Sequence, residues 1–153
     1  MKASASILID LSIGETFKIF SDVQKRSLYL PSVTKLDIHS LHTQGRGVEW
    51  TEERMEEGVK KTGNLTISSF NQPRSFVVTT HSSGLIFKTR YNFQSAGTSQ
   101  TKVIISIGGR PKGILSGIMN KFLSKNSEYM GQQLQNELSS YKLLIERNTK
   151  QRS

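Results

Sequence analysis

The chain has 153 residues, a formal net charge of +9 and no cysteine. That length supports one domain with a sizeable core, and the missing cysteines exclude disulfides, thiol catalysis and cysteine-ligated zinc. No segment approaches the roughly 18 continuous apolar residues of a membrane-spanning helix, and Met1 to Leu11 lacks the charged-then-apolar order of a signal peptide, so a cytoplasmic protein is expected. The charge is uneven: residues 1–76 hold 10 basic and 9 acidic groups, residues 77–153 hold 11 and 3. A basic C-terminal half can attract an anionic membrane surface or RNA, or serve only solubility.

Taken in order, Ala3–Leu11 alternates, with Ala5, Ile7, Ile9 and Leu11 on one face, and predicts a half-buried first strand. Ser12-Ile-Gly-Glu15 has capping-box spacing and should start a short helix with Phe17 and Phe20 inward, and Ile19 beside them. Asp22 can cap a second short helix through Lys25, Leu28 and Tyr29, which Pro31 ends by disfavouring helix at Leu30. The period then changes to two. Strands are predicted over Val33–Leu41, Val48–Glu57, Val59–Phe70, Ser75–His81, Leu85–Gln94 and Thr101–Ile107, separated by glycine-, asparagine- and serine-rich turns. Gly108-Gly-Arg-Pro111 should break the last strand and lead into a long helix, Pro111–Glu146, whose apolar stripe runs through Leu115, Met119, Phe122, Met130, Leu134, Leu138, Tyr141 and Ile145. Such a rod, roughly 50 Å long, needs a concave partner. Lys121, Ser124, Glu128, Gln135, Lys142 and Glu146 fall on its solvent side.

Hairpin succession implies an antiparallel sheet, and strands followed by one terminal helix give the α+β class: a seven-stranded sheet curved around the C-terminal helix, with two short helices between strands 1 and 2. Residues 1–147 form one domain and 148–153 a polar tail. This order resembles the START-like helix-grip superfamily (SRPBCC), closest to its polyketide cyclase/dehydrase and lipid-transport group. The pieces that carry the resemblance are Ser6-Ile-Leu-Ile-Asp10 before a helix with Phe17 and Asp22, Leu30-Pro-Ser-Val33, the Gly45-x-Gly47 turn leading to Trp50, Thr66-Ile-Ser-Ser-Phe-Asn-Gln-Pro73, Gly97-Thr98-Ser-Gln-Thr101, and Tyr141-Lys-Leu-Leu-Ile-Glu146. Ser12-Ile13 replaces the usual Ala-Pro opening of the first helix. The resemblance implies a hydrophobic cavity between sheet and helix for a lipid, quinone, sterol or polyketide-like molecule, and in some relatives cyclisation or dehydration. It carries no universal catalytic signature, and no cofactor is expected.

The expected cavity wall comprises Trp50, Leu65, Phe87, Tyr91, Ile105, Met119, Phe122, Met130 and Leu134, against the plain alternative of ordinary core packing. Asn126 and Gln133 project into or beside the apolar stripe, where a dry core would charge about 1–3 kcal/mol for each unpaired group; they mark either a wet cavity or the solvated rim of a drifting stripe. Glu52 and Arg54 share the face of Trp50. If that face is inward, they can orient a ligand's polar head or act as acid and electrostatic clamp; otherwise they belong to a solvated hairpin end among Glu49, Glu53, Glu56 and Glu57. His81 with Tyr91 is the remaining acid–base candidate. His39 and His42 have an odd spacing that puts them on opposite strand faces, so no metal is expected. Gly108-Gly-Arg-Pro-Lys-Gly113 can be read as a phosphate cradle at a helix N-terminus or as a plain turn with exposed cations.

Overall fold

The computed structural model describes residues 2–111 and 127–152. The elements are β1 (Lys2–Ile9), α1 (Ile13–Ser21), a 3₁₀ turn (Val23–Lys25) running into the single-turn α2 (Arg26–Tyr29), β2 (Val33–Ile38), β3 (Glu49–Glu56), β4 (Val59–Asn71), β5 (Ser75–Ser82), β6 (Leu85–Ser95), β7 (Thr101–Pro111) and α3 (Ser127–Arg152). Local chemistry accounts for the starts and turns. Ser12 Oγ accepts from the Glu15 amide and opens α1, and the Asp22 carboxylate accepts from the Gln24 amide and opens the 3₁₀ turn. Glu57-Gly58 and Ser83-Gly84 all have positive φ and make two-residue hairpins, the geometry that matches the right-handed twist of the flanking strands.

All seven strands form one antiparallel sheet in the order β1-β7-β6-β5-β4-β3-β2. Side chains alternate across it. One face carries Ile9, Trp50, Leu65, Ile67, Phe76, Val78, Tyr91, Phe93, Val103 and Ile105 into the core, and the other carries mostly polar groups. The core face is covered by α1, α2 and α3. Phe17 meets Phe70, Phe76 and Phe93 edge-on. Tyr141 of α3 lies between Phe20 of α1 and Tyr29 of α2, stacked at 4.1 and 5.0 Å. One ring thus ties the three helices together.

Three ends differ from the sequence expectation by three residues or more: β2 stops at Ile38 rather than Leu41, and β7 and α3 both run on. Gly108-Gly-Arg-Pro111 does not break β7: Gly108 pairs with Lys2, and Gly109, Arg110 and Pro111 pair with Phe87, Ile86 and Leu85. Glycine lowers strand propensity, but a ladder on β6 still satisfies the backbone, and Pro111 stands at the last position, where a missing N–H costs least. The helix N-terminal half and the phosphate-cradle reading at Lys112-Gly113 lie outside the described residues. At its other end α3 continues past Glu146 to Arg152. Gln135 and Lys142, expected to meet solvent, are instead half-buried against β1: Lys142 Nζ donates to the Leu8 carbonyl at 2.6 Å and Gln135 Nε2 to the Ser6 carbonyl at 3.5 Å. These contacts occupy carbonyls of an edge strand that could otherwise recruit another chain.

The Tyr141 hydroxyl is buried with no hydrogen-bond partner among the described residues. Tyr141→Phe should therefore leave chemical-denaturation stability unchanged or raised, because an unpaired hydroxyl is lost and the stack kept. Tyr141→Ala should cost about 3–5 kcal/mol through loss of the stack and the cavity left behind.

Candidate functional site

The alternation of β3 puts Val48, Trp50, Glu52 and Arg54 on the inner face, and α2 turns Arg26 toward them. Glu52 is 3% exposed, and so is Arg26. The carboxylate collects four hydrogen bonds. Oε1 accepts from Arg26 Nε at 2.7 Å and Trp50 Nε1 at 3.2 Å, and Oε2 accepts from Arg54 Nε at 2.9 Å and Arg26 Nη2 at 3.3 Å. Those four donors match the four acceptor positions of a carboxylate. The Arg26 guanidinium also lies over the Trp50 ring, 5.6 Å from its centroid. The alternative reading of Glu52 as part of a solvated hairpin end is thereby overturned: alternation carries it under α2, while its outward neighbours Glu49 and Glu57 are exposed.

Burial alone would push the Glu52 carboxyl up, but the charges of Arg26 and Arg54 and their hydrogen bonds outweigh it and hold it down at about 2. The same attraction outweighs burial at Arg26 and keeps it firmly charged. Tyr91 is pushed well above the ordinary phenol range, first by burial and then by Glu137, whose Oε1 accepts from the Tyr91 hydroxyl at 2.8 Å.

Above this cluster, between the sheet and α3, lies a cavity of about 230 Å³. Its apolar wall is Leu65, Val78, Phe87, Ile107, Met130 and Leu134; its polar lining residues are Arg26, Glu52, Arg54, Glu56, Lys61, Thr62, Thr80, Ser82, Thr89, Tyr91, Gln133 and Glu137. Gly63, opposite Glu52 on β4, also lines it, and a Cβ there would come within 3.2 Å of the Thr80 methyl. A second recess of about 340 Å³, beside Leu30, Pro31, Met55 and Asn136, shares Arg54, Glu56, Gln133 and Glu137 with the first, so the two meet at those side chains.

Of the expected wall, Leu65, Phe87, Tyr91, Met130 and Leu134 line the cavity. Gln133 does too, and it has no hydrogen-bond partner among the described residues. Trp50 and Ile105 do not line it. Trp50 lies beneath Arg26 and Glu52, and Ile105, beside Tyr91 on β7, is fully covered where the aromatic cluster of α1 closes the core. Met119, Phe122 and Asn126 lie outside the described residues. Tyr91 and His81 are not brought together: Tyr91 points inward, whereas His81 sits at an outward position of β5 opposite Ile86 and is exposed. His39 bonds the Thr51 hydroxyl through Nε2, and His42 bonds the Arg46 carbonyl. No group of three or more His, Asp or Glu suited to a metal occurs among the described residues.

Sequence reasoning missed Arg26 and Glu137. Arg26 occupies a four-residue helix too short to show a period, and nothing local announces a partner 26 positions away. Glu137 carried a signal: it falls one helical turn after Gln133, on the same face.

Comparison with known proteins bears on the fold. No family model matches the chain, and no curated protein matches it in sequence. Solved structures do match. The protein TTHA0849 from Thermus thermophilus superposes with a TM-score of 0.75 at 13% identity, over 97% of this chain and 99% of that one. A START superfamily protein from Mycobacterium smegmatis gives 0.66 at 10% identity over 90% and 97%. The fold is the START-like helix grip. The Zhui aromatase/cyclase from Streptomyces sp. R1128 shares the same helix grip, with a TM-score of 0.75 at 10% identity over 97% and 95% of the two chains.

In this helix grip the buried carboxylate makes a prediction. The folded-state value of Glu52 lies below the ordinary 4.5, so its stabilising contribution is present above about pH 4.5 and is lost as pH falls toward 2. Glu52→Gln should cost about 3–5 kcal/mol at neutral pH, since it strands the buried Arg26 guanidinium and weakens the pairing of the half-buried Arg54. The gap between wild type and variant, read from urea denaturation, should narrow steadily between pH 4.5 and pH 2. A gap that does not change over that window would show that Glu52 is not held as described.

Proposed function

We propose that the protein binds or carries a small amphipathic molecule in the cavity between sheet and α3, and that the guest is electrically neutral. The observation that carries this reading is the unequal satisfaction of the polar groups in the cavity. Glu52 is saturated by four donors, while Arg54 is a quarter exposed, spends Nε on Glu52 and reaches Glu56 with Nη1 only at 3.8 Å, beyond hydrogen-bond distance. Gln133, Thr80 and Thr89 line the same space, and their side chains have no hydrogen-bond partners among the described residues. Donors left open beside an apolar wall suit a guest with a greasy body and one or two carbonyl or hydroxyl oxygens. Charge argues for neutrality: Arg26, Arg54 and Lys61 are balanced around the cavity by Glu52, Glu56 and Glu137. A quinone, polyketide-like or sterol-like molecule meets these requirements. At about 230 Å³ the chamber is smaller than the roughly 300–1,000 Å³ of typical ligand sites, so a larger guest would extend past Arg54 into the second recess.

A cyclase or dehydratase acting on a polyketide-like substrate is the second reading. The proximity of Glu52, Arg54 and Tyr91 in one cavity favours it, as does the name of the Streptomyces neighbour. The electrostatics favour binding instead. A general acid or base works best with a pKa near the operating pH, and Glu52 is held at about 2 while Tyr91 is driven upward. Arg54 remains as an electrostatic clamp for a developing oxyanion.

Trp50 is the chain's one tryptophan. It is hydrogen-bonded to the carboxylate that floors the cavity, so its emission should report occupancy. Titration with a neutral naphthoquinone should change Trp50 fluorescence saturably. Thr80→Phe, which fills the chamber, should abolish the response, and Arg54→Met should weaken binding about tenfold or more through loss of a charged donor. Organic extraction of the purified protein followed by mass spectrometry should recover a neutral amphipathic compound. A flat titration together with an empty extract would refute the reading.

A further inference from the structure

The face of the sheet turned away from the helices divides into two halves of different charge. On β2, β3 and β4 the exposed charges are mixed, and they pair locally: Lys35 with Asp37, Lys60 with Glu53. On β6, β7 and β1 they are all positive. The ladder places Lys88 and Lys2 on either side of Gly108 in one row, Arg90, Ser106 and Ser4 in the next, and Gln94, Lys102 and Leu8 further along. Lys2, Lys88, Arg90 and Lys102 are exposed, and none makes an ion pair among the described residues. Lysines flanking Gly108 stand two strands apart, about 9.5 Å, with no side chain between them. Two carboxylates toward this edge of the sheet have other partners: Asp10, just past the end of β1, accepts from Gln100, and Glu146 of α3 pairs with Lys142.

Aliphatic groups are interspersed with these cations. Leu8 is 44% exposed, and Ile86 and Ile104 occupy outward positions on β6 and β7 and are half-buried. No Phe, Tyr or Trp occupies an outward position of β6, β7 or β1. Single-stranded nucleic acid is usually held by aromatic rings on which bases stack, and this face offers none. Cations set among short aliphatic chains fit a surface that presents phosphates above a hydrocarbon layer. We propose that the outer face of β6, β7 and β1 docks the protein on an anionic lipid bilayer. This surface is separate from the cavity, and its test does not depend on what the cavity holds.

Co-sedimentation of the full chain with vesicles of phosphatidylcholine alone, and of phosphatidylcholine mixed with phosphatidylserine, tests the assignment. Binding should need the anionic lipid and fall as salt rises. The triple variant Lys88→Gln, Arg90→Gln, Lys102→Gln should lose affinity on the order of a hundredfold, since each basic group near such a surface contributes about fivefold. Lys35→Gln, Arg46→Gln, Lys60→Gln removes the same charge elsewhere and should stay close to wild type. Melting curves of both variants control for folding, and the salt dependence of the wild type gives a reading that needs no variant. Equal binding to neutral vesicles, no binding to anionic ones, or an equal loss in both triple variants would overturn the proposal. So would tighter binding of polyuridylate than of vesicles through the same three residues, which would assign the face to RNA.

Discussion

A single buried carboxylate sets the terms for the rest of this structure. Glu52 sits on an inward position of β3, where alternation would otherwise place an apolar side chain, and an unpaired charge there would cost several kcal/mol. It is tolerated because three side chains converge on it: Arg26 from the short helix, Trp50 from two residues back and Arg54 from two residues on. Such a cluster is weak evidence for stability, since a well-packed apolar substitute is often as stable or more so. Its effect is on position. It fixes α2 against the sheet, holds the Trp50 ring beneath a guanidinium and turns Arg54 toward the space under α3.

The packing around the cluster is asymmetric. On the α1 side, Phe17, Phe20, Phe76, Phe93 and Tyr141 pack ring against ring and are buried. On the side of Gly63, Thr80, Thr89 and Gln133 the side chains are small or polar, and a cavity remains. The same helix serves both ends. Leu138, Tyr141 and Ile145 are buried in the closed region, whereas Met130, Gln133, Leu134 and Glu137 line the open one. The polar residues that interrupt the stripe of α3 belong to the end that does not close.

Much of this was legible in the chain. Strict alternation in Leu85–Phe93 and in Val48–Arg54 assigns an inner face that the structure reproduces, and helical phase alone brings Gln133 to the cavity. What was not legible involves partners distant in sequence. Arg26 has no local feature that distinguishes it from any surface arginine until β3 is placed beside α2. Trp50 has the size and chemistry of a wall residue, yet Arg26 lies between it and the cavity. The end of β7 was misplaced because glycine and proline weaken a strand locally, while the ladder on β6 supplies the pairing that continues it. Gln135 and Lys142 read as solvent-facing because periodicity describes one helix by itself. The open edge of β1 gives them something to bond.

The central claim is that sheet and helix leave a polar-floored chamber which some other molecule completes. The most direct measurement is the electron density within that chamber in a high-resolution crystal structure of the protein as purified. The account predicts density for an organic guest, or for ordered water, within hydrogen-bonding distance of Arg54 and Gln133, with Glu52 still holding its four donors. Side chains meeting across the gap between Leu65, Phe87 and Leu134, with nothing else present, would contradict it.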